Sequence, residues 1–313
     1  MRALAWFVAT LVAAGLAAAA IAYPIFELTS HIAPWPFHRV AGRIAMLAAA
    51  GGIVWLCRHL GLTARQDLGY GLPRRRFLAV VALSALAGIA TAAVGAAFLI
   101  GEDLRVVTDT QLSSIGHDAH LLMIGLGSGL AVALIEETVM RGALHTAIAR
   151  TSGQWSAALL TAPLFAVLHF FAKAHIDAPV WTSGFDLLLR SFAPLGDFGR
   201  VVDSFLAWLA VSLILSLTRT LSGNIATAIG LHAGWVVVLR ILQESTGTGA
   251  VHSAWVGRFD GLLGYWVVPW SAAVAAALWL TRGLWVPYAA GGAVSGATEA
   301  SRSSRSSGSS ISR

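Results

Sequence analysis

Three charged side chains stand inside an apolar run: Glu136, Glu137 and Arg141 lie within Leu126 to Arg150. If that run crosses a membrane, each mid-span acid or Arg costs roughly 2.5–3.5 kcal/mol, so the three cost on the order of 8–10 kcal/mol. The eight Leu, Ile and Val residues of the same window return at most ~5 kcal/mol. Alone in lipid such a helix is unstable, and its charged face must turn toward other helices or a wet cavity. Helical geometry then separates the two acids. Glu137 and Arg141 have the i, i+4 spacing with the acid first, the favourable order for a helical ion pair, whereas Glu136 points about 100° away. A buried carboxylate without a partner needs a ligand, a water or a proton, which is the condition of a general base. The plain alternative is a structural ion pair beside a protonated spare acid.

Two histidines follow in the next apolar runs. Phe165 and His169 share a helix face, and His232 lies near the middle of Ile225 to Leu242. A single histidine on an apolar face usually serves packing, but two in runs that follow a doubly acidic one suggest a shared site. The other histidines (His31, His38, His59, His117, His120, His145, His175, His252) mostly fall near span ends and read as interfacial. His169 sits about seven residues past the middle of its span, roughly 10 Å along an upright helix. Tilt, a kink near Pro163 or a span running on to about residue 175 are the ways to bring it level with Glu136.

The elements that must position these residues are membrane helices. Of the 313 residues 57% are hydrophobic and 12% charged, with a mean hydropathy of +0.74. Soluble domains carry about 25% charged residues. Disordered, collagen-like and disulfide-framework classes are excluded, and Cys57, the single cysteine, permits neither a thiolate cluster nor an internal disulfide. The net charge of +6 is strung between apolar runs, so it reads as topology and not as a nucleic-acid surface. Lys173 is the single lysine beside twenty arginines, a usage that suggests GC-rich, bacterial coding.

The hydropathy pattern predicts an all-α polytopic membrane protein of about eight spans, near 4–22, 41–58, 77–100, 126–150, 155–172, 203–219, 223–243 and 264–281. Dividing the basic residues between the two sets of loops gives thirteen against eight, which places both termini in the cytoplasm, here of a bacterial inner membrane. Trp35, Trp155, Trp181, Trp255 and Trp285 lie near span ends, as an aromatic belt requires. The first span also resembles a signal peptide, but its apolar run exceeds the usual core of about 7–15 residues, which favours a retained helix. Residues 1–288 form one transmembrane domain with its chemistry in about 120–245, and 289–313 read as a disordered Ser/Arg-rich cytoplasmic tail. The connection between spans five and six contains Phe185, Leu187, Leu188, Leu189 and Phe192; it either lies along the membrane surface or forms a lid.

With these residues in view, the chain resembles the CPBP intramembrane proteases, which include the endopeptidases that trim prenylated CAAX proteins. The family's Glu-Glu-x-x-x-Arg is matched by Glu136-Glu137-Thr-Val-Met-Arg141, and its Phe-x-x-x-His by Phe165 to His169. Its third motif, a histidine followed four residues later by Asn on a helix often opened by Gly-Asn, is matched from Gly223-Asn224 up to His232; Val236 then stands where the Asn is expected. The resemblance implies that Glu136 and His169 activate a water, that His232 donates to the oxyanion, and that Glu137, Arg141 and Phe165 hold the site in shape. Val236 cannot donate, so the neighbouring Trp235 indole is the candidate substitute, while Asn224 lies about 12 Å along the axis and is too far. The implied function is hydrolysis of a peptide bond in a membrane-anchored or lipidated protein or peptide, in a CAAX-processing-like reaction, with membrane lipid and no nucleic acid as partner. Metal-free chemistry is the favoured form; a zinc ion held by Glu136, His169 and His232 is the alternative. Outside peptidase chemistry, the same residues fit a transporter or proton relay, or a catalytically silent scaffold or immunity protein of the same fold.

Overall fold

The computed structural model describes residues 2–32, 35–108, 115–171, 174–249 and 254–289, without the side chains of 115–121. The expected tail beyond residue 289, Lys173, His252 and the side chains of His117 and His120 lie outside the described residues.

The chain is a helical bundle, as the sequence pattern requires. In order it forms α1 (Arg2–Ser30), α2 (Phe37–His59), α3 (Arg74–Gly101), α4 (Ile115–Glu137), a π-helical turn (Thr138–Leu144), α5 (His145–Ser152), α6 (Gln154–Leu168), α7 (Ser183–Ser191), α8 (Phe198–Ser222), α9 (Ala226–Ser245), α10 (Val267–Leu280) and α11 (Arg282–Ala289). An antiparallel ribbon pairs Arg105–Val107 with Thr246–Thr248. The buried Arg105 guanidinium ties it down by donating to the Thr246 hydroxyl and to the carbonyls of Thr246 and Gly261.

The span count differs from eight. Among the described residues, six helices are long and apolar enough to cross a membrane: α1, α2, α3, the α4–α5 rod from Leu122 to Ser152, α8 and α9. Among the same residues the count rises to seven if α10 and α11 form one span, and they are bent by 75° at their junction. The remaining segment, α6, has 15 residues. At 1.5 Å per residue it is about 22 Å long, short of the ~30 Å hydrocarbon core.

The centre belongs to α8 and α9, the most buried of the long helices. Lipid is as apolar as leucine, so close backbone packing must hold such helices together. Glycines supply it. A methyl group at Gly88 of α3 would meet the Leu231 carbonyl of α9 at 2.5 Å, and one at Gly234 of α9 would run into the Ala85 carbonyl of α3. On the other side of α9, a methyl at Gly129 of α4 would lie 2.9 Å from the Ala233 carbonyl. Helix α9 is thereby wedged between α3 and α4, which sets His232 against the acidic pair.

Two connections fix the remaining geometry. Between α2 and α3, the Gly69 carbonyl accepts the Ile225 N–H at 3.1 Å, and the Tyr70 hydroxyl bonds Thr138, the first residue of the π turn. Between α8 and α9, Gly223 takes the left-handed conformation (φ 72°) that ends a helix, and the Asn224 side chain accepts the Ala226 N–H at 3.0 Å. Asn224 is thus a turn residue. The connection between α6 and α8 forms α7, whose Gly184 abuts the Ala19 backbone of α1 while Phe185 and Leu189 stay exposed.

Candidate active site

The π turn comes directly after Glu136-Glu137. Such widened turns arise as insertions in α-helices, often at functional positions. Here the His145 N–H, which an α-helix would direct to Arg141, bonds the carbonyls of Met140 and Gly142. Gly142 lets the wide turn lie against the Leu68 backbone: a methyl group there would meet that carbonyl at 2.8 Å.

Glu137 and Arg141 form the expected ion pair, Oε1 to Nη1 at 3.1 Å, with both side chains completely buried. Burying two such charges is costly unless hydrogen bonds meet their remaining valences, and here they meet part of them, since Glu137 Oε2 and Arg141 Nε have no hydrogen bond among the described residues. Arg141 Nη2 donates to the Ser212 hydroxyl at 2.7 Å and to the Ser212 carbonyl at 3.0 Å. Its guanidinium lies 4.4 Å from the centre of the Phe165 ring. Glu137 Oε1 also takes His232, whose Nδ1 is 2.8 Å away. One carboxylate therefore joins α4, the π turn and α9.

Glu136 faces the other way, as the helix-face reading requires. Its Oε2 lies 4.0 Å from His169 Nε2, and this oxygen has no hydrogen bond among the described residues. Both residues line a cavity of about 240 Å³ whose other walls include Phe7 and Leu11 of α1 and Met140 of the π turn. His169 is held on two sides. Its Nδ1 is 2.8 Å from the Phe165 carbonyl, which can only accept, so Nδ1 carries the proton. Its ring stacks on Trp208 at 3.8 Å with 23° between the planes. In its neutral form the imidazole thus presents the Nε2 lone pair toward Glu136.

Helix α6 ends at Leu168 with His169 as its C-cap, so the ring comes within 4.0 Å of Glu136 without a helix that runs on to residue 175.

The hydrogen bond of His232 goes to Glu137, not to Glu136 or His169, and its ring also lines a second, apolar cavity of about 60 Å³ with Trp208, Trp235, Trp266 and Trp270. With the Nδ1 proton given to Glu137, a neutral His232 offers Nε2 as an acceptor and becomes an oxyanion donor only on taking a second proton. Trp235 is not a spare donor, because its indole N–H is committed to the Thr91 hydroxyl at 3.0 Å. Among the described residues no three His, Cys, Asp or Glu side chains are grouped so as to hold a metal ion. Val236, at the position of the expected Asn, packs toward Gly129 of α4.

Sequence reading missed Ser212, Trp208 and Arg219, which complete the surroundings of the site from α8. The signal for two of them was present. Ser212, Ser216 and Arg219 recur at helical spacing through an apolar run, a polar stripe that must face something polar. Trp208 carried no such mark.

Residues 118–238 match the family model described as Type II CAAX prenyl endopeptidase Rce1-like. No curated protein and no solved structure matches the chain. The matched segment runs from before Glu136 to beyond His232 and holds both acids, Arg141, His169 and His232, so over this stretch the chain is similar to the CAAX prenyl endopeptidases.

Proposed function

We propose that the protein is an endopeptidase that hydrolyses a peptide bond of a membrane-anchored or lipidated protein or peptide, with Glu136 and His169 activating the water and no metal taking part. The observation that carries this reading is the facing of two acceptors, the Glu136 carboxylate and the His169 Nε2 lone pair, 4.0 Å apart on one cavity wall. A water that donates one hydrogen to each satisfies both and keeps its own lone pair for a carbonyl carbon. As the water oxygen bonds that carbon, its proton passes to Glu136. The C–N bond then breaks and the proton goes to the leaving nitrogen, giving a carboxylic acid and an amine. Glu137 and Arg141 hold the wide turn that presents Glu136, and Phe165 and Trp208 hold His169.

A second reading is a catalytically silent member of the same fold. It is favoured by the lack of a donor at Val236 together with the commitment of the Trp235 N–H to Thr91. Protein termini compared between cells carrying the wild type and Glu136→Gln separate the two. Peptidase function predicts termini that depend on Glu136; identical terminomes support silence. Turnover that persists under strong chelators is expected, and its loss would favour a metal form.

The excess of arginine on one set of loops supports placing both termini in the cytoplasm of a bacterial inner membrane. An even number of crossings, six without α6 and the bent α10–α11 pair or eight with both, keeps the termini on one side.

A further inference from the structure

Helix α8 carries a buried arginine for which the hydrolytic step has no use. Arg219 is 6% exposed, and no carboxylate pairs with it among the described residues. An unpaired cation inside a bundle is costly, and an apolar side chain of similar length would pack there at lower cost. Its hydrogen bonds show what it does. Arg219 Nε donates to the Arg141 carbonyl at 3.0 Å, and Nη2 donates to the Thr146 hydroxyl, also at 3.0 Å.

The Arg141 carbonyl is the one that lost its α-helical donor when His145 turned to Met140 and Gly142. Arg219 occupies that acceptor. The link also runs in reverse: Arg141 reaches from the π turn to Ser212, which lies on α8 seven residues before Arg219 and on the same face. Two arginines thus clamp the turn to α8 at two levels. Removing the extra residue of the wide turn would rotate α4 by about 100° relative to α5. Glu136 could not then face His169 while Arg141 kept Glu137.

We propose that Arg219 is a positioning residue for the Glu136–His169 pair, acting by holding the π turn in its wide register. The kinetic consequence rests on the hydrolytic reading of the site; the structural consequence does not. The test uses the full chain in lipid nanodiscs. With Cys57→Ala and Glu136→Cys combined, the chain carries one thiol, placed at the cavity wall. Its reaction with N-ethylmaleimide is expected to lose most of its rate when Arg219→Gln is added and to recover in part with Arg219→Lys, which keeps the charge but not the forked reach. A thiol placed by Leu159→Cys on the exposed face of α6 serves as the reference and should react equally in all three backgrounds.

With Glu136 intact, Arg219→Gln is expected to lower kcat by about 10²-fold at unchanged KM, the scale of a misplacement near 1 Å. Unchanged labelling in folded Arg219→Gln overturns the proposal whatever the kinetics. If that variant does not fold, Arg219→Lys decides, and wild-type labelling there overturns the proposal equally. A wild type that cleaves no peptide defeats the hydrolytic reading alone, and the labelling still decides for or against Arg219.

Discussion

Glu136 and Glu137 are adjacent in the chain, yet the side chain of the first is 34% exposed beside a cavity and that of the second is completely buried. Their roles should separate by measurement. Glu137→Gln leaves Arg141 buried without its counter-ion and is expected to cost about 3–5 kcal/mol of stability, read by denaturation in detergent. Glu136→Gln breaks no hydrogen bond and should stay within about 0.5 kcal/mol of wild type while turnover is lost. A stable Glu137→Gln protein would show that the ion pair does not hold the fold. Trp235→Phe gives a second test at this scale. Because its N–H serves Thr91, the substitution is expected to keep turnover and to cost about 0.5–1.5 kcal/mol, the worth of one internal hydrogen bond. A large drop in kcat without loss of stability would restore the indole to the reaction.

At the scale of elements, much was legible. The cost of three charges in one apolar run already required an inward face, and the i, i+4 spacing singled out Glu137 for Arg141. What the sequence could not show was the π turn. Its register is decided by partners distant in sequence: Tyr70 on Thr138, the Leu68 backbone against Gly142 and Arg219 on the Arg141 carbonyl. The length of α6 was equally hidden, since the apolar run continues through Phe170 and Phe171 and hydropathy does not mark where the helix stops. The glycine seam of α9 was present in the sequence as Gly230 and Gly234, but only the fold shows that both meet α3. Gly88→Val, on the facing side, is expected to force α3 off α9 at a cost of about 1–3 kcal/mol or more, seen as a lower melting temperature in detergent. An unchanged melting temperature would mean that this seam is looser than the 2.5 Å approach at Gly88 implies.

At the scale of the whole molecule, a buried pair of helices, α8 and α9, is surrounded by helices whose outward faces meet lipid. Polar side chains from α4, the π turn, α6, α8 and α9 converge on one level of this bundle, so the site exists only when all of them are packed. The charge bias of the loops predicts that reporter domains fused to either terminus lie in the cytoplasm. A reporter on the far side at one end would establish an odd number of crossings, as the bent α10–α11 pair would give if it alone were added to the six long helices.

The most direct measurement presents a library of membrane-anchored peptides to the purified full chain in lipid vesicles containing a strong chelator and identifies the products by mass spectrometry. Hydrolysis by Glu136 and His169 predicts new carboxyl and amino termini with the wild type and none with Glu136→Gln or His169→Ala. The same products from Glu136→Gln would contradict it.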